Sequence, residues 1–166
     1  MTGYNFQSLK VLICDDSLQI RALVKNCLMA FGIREICEAS NAEAAFEELQ
    51  DSDPDLLITD WNLGESCGLE LVRRIRTSME APNPYLPIIM LTGHSEIERV
   101  EIARDAGVSS FLAKPMSAQS LFKRLASLVE DNRPFIRCTD FFSPDRRFHD
   151  NDDFGGEDRR VSATAA

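Results

Sequence analysis

Short apolar runs alternate with longer amphipathic stretches along the chain, five times over, before the pattern stops. The first run, LKVLIC (Leu9 to Cys14), is apolar almost throughout, as a strand buried on both faces should be. Ser17 then offers an N-cap to a helix bearing Ile20, Leu23, Val24, Cys27, Leu28 and Phe31 at helical spacing, and Gly32 stops it. REICEA predicts a second strand, after which Asn41 caps a helix with Ala42, Ala45, Phe46 and Leu49 on one face. DLLITD predicts the third strand, followed by a loop and a helix around Leu71, Val72 and Ile75. Pro82, Pro84 and Pro87 break the chain before IIMLT, the fourth strand. A helix from about Ser95 to Ala106 ends at Gly107, SSFLAK is the fifth strand, and Ser117 caps a last helix with Leu121, Leu125, Leu128 and Val129.

Five β-α units in strict alternation imply an α/β fold, a doubly wound five-stranded parallel sheet with helices on both faces. Beyond Asn132 the periodicity fails and Arg, Asp, Phe, Gly and Pro take over. The chain therefore divides into a domain over residues 9–132 and a C-terminal extension over 133–166. That extension is too short for a core of its own.

Composition narrows the function classes. Hydrophobic residues make up 44% of the chain, enough for a substantial core, while 27 acids against 18 bases give a formal net charge of −9. That balance argues against bulk binding to DNA or to an anionic membrane. There is no apolar run of membrane-spanning length, and Met1 to Lys10 lacks the regions of a signal peptide. The cysteines Cys14, Cys27, Cys37, Cys67 and Cys138 are odd in number and form no C-x-x-C pair, so they read as reduced thiols. A cytoplasmic protein is expected.

In such a sheet, ligands sit outside the carboxyl ends of the strands. Those ends carry Asp15 and Asp16, then Asp60, Thr92 and Lys114, whereas the second strand contributes only Ala39 and Ser40. Carboxylates crowded together repel one another and need a cation to coexist ionised. Oxygen donors without His or Cys favour a hard ion, best matched by Mg²⁺. With an ammonium and a hydroxyl donor added, the set forms a receptor for a phosphoryl group.

The stretches LICDDS, LLITDWNLGESCGLELVRRIR, IIMLTG and FLAKP, in this order and spacing, resemble the receiver domain of two-component response regulators. Asp-Trp-Asn at the third strand is similar to the single-domain chemotaxis regulators, and the likeness runs from about Lys10 to Glu130. The resemblance implies the flavodoxin-like strand order 2-1-3-4-5. It implies that Asp60 is the phosphoacceptor, taking a phosphoryl group from a histidine kinase or a histidine phosphotransfer protein. Asp15, Asp16, Asp60 and the Asn62 backbone carbonyl would hold Mg²⁺, and Lys114 would pair with the phosphoryl oxygens. Thr92 and Phe111 would form the switch, and the bond before Pro115 would be cis. Output would pass through the face built by the fourth helix, fifth strand and fifth helix, with catalysis limited to the protein's own phosphotransfer and dephosphorylation.

The sequence departs from the pattern at Gly64, where Pro is common, at Cys67, where Asp is usual, and at Met116, often Phe. Asn62 and His94 occupy variable positions expected to tune the lifetime of the phosphorylated state, with a plain surface histidine as the alternative reading of His94. A haloacid-dehalogenase-type phosphatase would need a second Asp two residues beyond Asp60, and Asn62 stands there. Neither nucleotide-binding glycine pattern is present.

The extension holds two Asp-Arg-Arg triplets, at Asp145-Arg146-Arg147 and Asp158-Arg159-Arg160. Arginine reads guanine bidentately, so Arg146, Arg147, Arg159 and Arg160 are candidate contacts to a guanine nucleotide such as cyclic di-GMP. The simpler expectation is an extended arm, partly docked through Phe135, Ile136, Phe141 and Phe142, whose Asp and Arg residues pair in solvent at little energetic gain.

Overall fold

The computed structural model describes residues 4–93 and 99–130, together with the backbone of 135–138 and 141–144. Strands β1 (Lys10–Cys14), β2 (Glu35–Ala39) and β3 (Leu56–Asp60) alternate with helices α1 (Leu18–Ala30) and α2 (Ala42–Ser52). Two short strands follow, β4 (Asn62–Leu63) and β5 (Ser66–Cys67), leading into α3 (Gly68–Thr77). Then come β6 (Ile88–Thr92), α4 (Val100–Ala106), β7 (Ser110–Ala113), α5 (Ala118–Glu130), and the pair β8 (Phe135–Cys138) and β9 (Phe141–Pro144). The main sheet runs β2-β1-β3-β6-β7, all parallel. This is the expected order, with β6 and β7 as the fourth and fifth strands of the repeat.

Strand periodicity explains why helices cover both faces. Successive side chains point to opposite sides of a sheet. Leu12, Leu57, Ile88 and Met90 join one core with Phe46, Leu49, Val72, Ile75 and Ala103 from α2, α3 and α4. Val11, Ile13, Ile58, Ile89 and Leu91 join the other with Val24, Leu28, Leu121 and Leu125 from α1 and α5. The helix starts follow from local chemistry. Ser17 Oγ accepts from the Ile20 N–H at 3.4 Å, and Asn41 Oδ1 from the Ala44 N–H at 2.8 Å. Ser117 and Ser120 exchange backbone N–H to Oγ bonds of 3.0 and 3.1 Å, fixing the first turn of α5.

Some expectations needed correction. Leu23 and Val129 fit the apolar spacing of their helices but are exposed, because each lies at the margin of the stripe its helix buries. The fourth helix is described from Val100, and the predicted start at Ser95 lies outside the described residues, as does the domain boundary at 132–133. The extension contains an antiparallel β8–β9 pair rather than only an extended arm, with Ile136 opposite Ser143 and Cys138 opposite Phe141. β9 packs along α4. Arg146, Arg147, Arg159 and Arg160 lie outside the described residues.

Near the end of α3, Arg76 is almost completely buried, a role its sequence did not advertise. Its guanidinium donates to the carbonyls of Pro84 at 2.8 Å, Leu86 at 2.7 Å and Gly107 at 2.8 Å. It thus ties α3 to the loop before β6 and to the C-terminal cap of α4. Burial pushes the guanidinium down to about 9, still high enough to be charged at neutral pH. Replacing Arg76 by Met keeps the apolar stem but orphans these carbonyls. The expected loss is about 2–4 kcal/mol in urea unfolding.

Candidate functional site

Parallel register collects the strand ends on one rim. Cys14 pairs with Thr59, Asp60 with Leu91 and Thr92 with Ala113, so the residues at or just after these ends are neighbours. Asp15 is fully buried, Asp60 nearly so, and Asp16 is exposed. Carboxylate oxygens of the three lie within 4.8 Å of one another. Lys114 Nζ reaches Asp60 Oδ1 at 2.9 Å and Asp15 Oδ2 at 3.4 Å.

The two buried carboxylates, Asp15 and Asp60, are each held by their own loop. The Ser17 N–H donates to Asp15 Oδ1 at 2.8 Å, an Asx turn that aims the side chain back at the rim. The Trp61 N–H donates to Asp60 Oδ1 at 2.8 Å. Burial raises the Asp60 carboxyl above the usual carboxylate range; Lys114 opposes this by hydrogen bond and charge, and the Asp15 charge reinforces it. For Lys114 burial works against the ammonium, but the hydrogen bonds and charges of Asp60 and Asp15 outweigh it and hold its pKa above the ordinary value. Cys14, one residue before Asp15, is pushed up to about 12 by burial and stays a thiol.

The loop after Asp60 explains one departure in the sequence. Gly64 has φ 73°, a left-handed conformation closed to proline, whose ring fixes φ near −65°. That turn lets β4 and β5 pair, Asn62 with Cys67 and Leu63 with Ser66. The Gly68 N–H then donates to the Trp61 carbonyl at 2.7 Å, and a Cβ on Gly68 would fall 2.0 Å from the Asp60 carbonyl oxygen. The helix following the site is therefore pressed against the backbone of Asp60.

The structure brings Asp15, Asp16, Asp60 and Lys114 into one cluster. Thr92 is buried at the adjacent strand end, its carbonyl accepting from the Lys114 N–H at 2.8 Å. Phe111 pairs with Met90 and packs, half-buried, against the α2–α4 core. Period two puts Thr92 on that same face of the sheet. Asn62 is exposed on β4. The Lys114–Pro115 bond is cis. His94 lies outside the described residues. Sequence reasoning missed Gly68 and Arg21. The first needs the closeness of two backbones, and the second donates to the Asp15 carbonyl from six residues further along the chain.

A doubly wound sheet with an acidic, lysine-bridged rim at its carboxyl ends defines the class to which comparison then adds a family. Residues 11–126 match the response regulator receiver domain. The chemotaxis protein CheY1 of Helicobacter pylori is 35% identical over 125 residues, covering 75% of this chain and 99% of that protein. The chemotaxis protein CheY-3 of Vibrio cholerae is 33% identical over 124 residues, covering 75% and 94%. Among solved structures, the receiver domain of NtrX from Brucella abortus superposes with a TM-score of 0.67 at 31% identity, over 74% of this chain and all of that one. Chemotaxis protein CheY4 of Vibrio cholerae gives 0.65 at 30% identity, over 72% and 97%. The chain belongs to the response regulator receiver domain family and is related to the chemotaxis CheY proteins. Its place is in two-component signalling. No helix among the described residues is long and apolar enough to cross a membrane.

Gly68→Ala drives a methyl group into the Asp60 carbonyl, so the loop must move. The expected cost is about 3 kcal/mol, an overpacking penalty, read as a lower thermal midpoint.

Proposed function

We propose that Asp60 is the phosphoacceptor of a Mg²⁺-dependent switch, charged by a histidine kinase or a histidine phosphotransfer protein. The observation that carries this reading is the Asp15–Asp16–Asp60 cluster bridged by Lys114. Asp60 Oδ attacks the phosphorus of a phosphohistidine, the P–N bond breaks, and its electron pair returns to the imidazole. The product is an acyl phosphate on Asp60, later hydrolysed by water. Among the described residues the clustered ligand groups are carboxylates, which fits a hard divalent ion; Asp15, Asp16, Asp60 and the Asn62 carbonyl would hold Mg²⁺. When bound, the ion supplies charge neutralisation for the transferring phosphoryl group. Lys114 already donates toward Asp60 and would follow the phosphoryl oxygens, while Asp15 keeps it anchored. The protein acts as catalyst only on its own phosphoryl group.

The switch runs along one face of the sheet. Thr92 and Phe111 share the side of the sheet on which α4 packs, so a Thr92 hydroxyl drawn toward the phosphoryl group vacates space that Phe111 can fill. Output then passes through the α4–β7–α5 face to a protein partner. Here the chain carries its own neighbour for that face, because β9 lies along α4. The β8–β9 pair must yield, or move with α4, when a partner docks.

Trp61, the only tryptophan in the chain, adjoins Asp60 and is buried, so its emission reports on the site. Beryllofluoride with Mg²⁺ is expected to change Trp61 emission in the wild type and not in Asp60→Asn. Identical responses would remove the phosphoacceptor role. In hydrogen exchange, amides of residues 135–138 and 141–144 are expected to exchange on the order of tenfold faster on activation, about 1.4 kcal/mol less protection. Unchanged exchange there would mean that the pair does not respond to the switch.

A further inference from the structure

Arg21 is absent from the chemistry above, yet it touches the backbone that carries two of the three acids. It projects from the first turn of α1, half-hidden, between β1 and β2. Nη1 donates to the Asp15 carbonyl at 2.6 Å and lies 3.5 Å from the Asp16 carbonyl. Nε lies 3.5 Å from Glu38 Oε2, an ion pair too long and poorly aligned to satisfy the buried N–H fully. Glu38, on β2, is held in turn by Lys25 Nζ at 2.5 Å. The Lys25 hydrogen bond, with the charges of Lys25 and Arg21, keeps the Glu38 carboxyl below its ordinary range despite burial acting the other way.

We propose that Arg21 is a positioning residue for the acidic site: stretched between Glu38 and the Asp15 and Asp16 carbonyls, it holds the β1–α1 loop in the shape that gives the site its affinity for a divalent cation. This rests on the Mg²⁺ reading of the cluster. The loop between Cys14 and Leu18 is short, and the Ser17 bond fixes only the Asp15 side chain. The Arg21 bond fixes the peptide joining Asp15 to Asp16, on which the aim of both carboxylates depends. Groups that orient metal ligands from outside the coordination sphere commonly account for 10–100-fold in affinity.

Two effects of opposite sign compete at Arg21. Its positive charge repels an incoming cation, whereas its hydrogen bonds pre-organise the ligands. Glu38 decides the balance by placing a carboxylate on the guanidinium, which offsets the charge without releasing the bonds. Removing Arg21 should therefore weaken cation binding through loss of order. Glu38→Gln should weaken it for two reasons, since it unmasks the guanidinium charge and loosens its anchor.

The test is Mg²⁺ titration of the full chain, followed by Trp61 emission and by calorimetry, with thermal midpoints measured in parallel. Arg21→Met is expected to weaken Mg²⁺ binding about tenfold, with Arg21→Lys recovering part of the loss. Glu38→Gln is expected to weaken it about threefold, on the order expected for one screened charge pair. Both should leave the folded spectrum unchanged. Wild-type affinity in Arg21→Met, or tighter binding, overturns the proposal, the latter because charge rather than order then dominates. If Arg21→Met does not fold, Glu38→Gln carries the decision, and unchanged affinity there overturns the proposal. A wild type that binds no Mg²⁺ removes the metal reading of the cluster and this inference with it; a wild type that binds, with variants indistinguishable from it, removes only the role of Arg21.

Discussion

One ammonium shared between two buried carboxylates is the interaction on which the site depends. Asp15 and Asp60 are withdrawn from water at neighbouring strand ends, and their charges oppose each other. Lys114, at 2.9 and 3.4 Å, is the cation that lets them stand together. The surrounding backbone serves this arrangement. The register of β1, β3, β6 and β7 sets the spacing, the cis Lys114–Pro115 bond follows the lysine directly, and Gly68 allows α3 to start against Asp60.

Around that centre the structure is built from anchors of a similar kind, cations bonded to backbone oxygens. Arg21 holds the carbonyl of Asp15 at one side of the sheet, and Arg76 holds those of Pro84, Leu86 and Gly107 at the other. Arg76 thereby holds the C-terminal cap of α4 at Gly107.

How much of this was legible beforehand follows from the range of each interaction. The strands, most of the helix faces and the caps at Ser17, Asn41 and Ser117 are local, written in a few consecutive residues. The convergence of Asp15, Asp16, Asp60 and Lys114 was legible too, because parallel strands of similar length must end on one rim. Leu23 and Val129 show the limit: periodicity marks an apolar stripe, but neighbouring elements decide how wide a stripe is covered. The pairing of β8 with β9 lay hidden because its strands are four residues each, too short for a periodic signal.

The sequence by itself determined the order of elements, the two-faced sheet and the identity of the groups at its carboxyl edge. All of these depend on residue type and on spacing along the chain. Only the tertiary structure decided that Lys114 bridges Asp15 and Asp60, that Gly68 must lack a side chain, that Gly64 takes a conformation proline cannot, and that Arg21 and Arg76 spend their donors on distant carbonyls. These are contacts between backbone atoms and side chains brought together by folding. A carbonyl oxygen is the same in every residue, so nothing in the sequence marks which one a buried arginine will find.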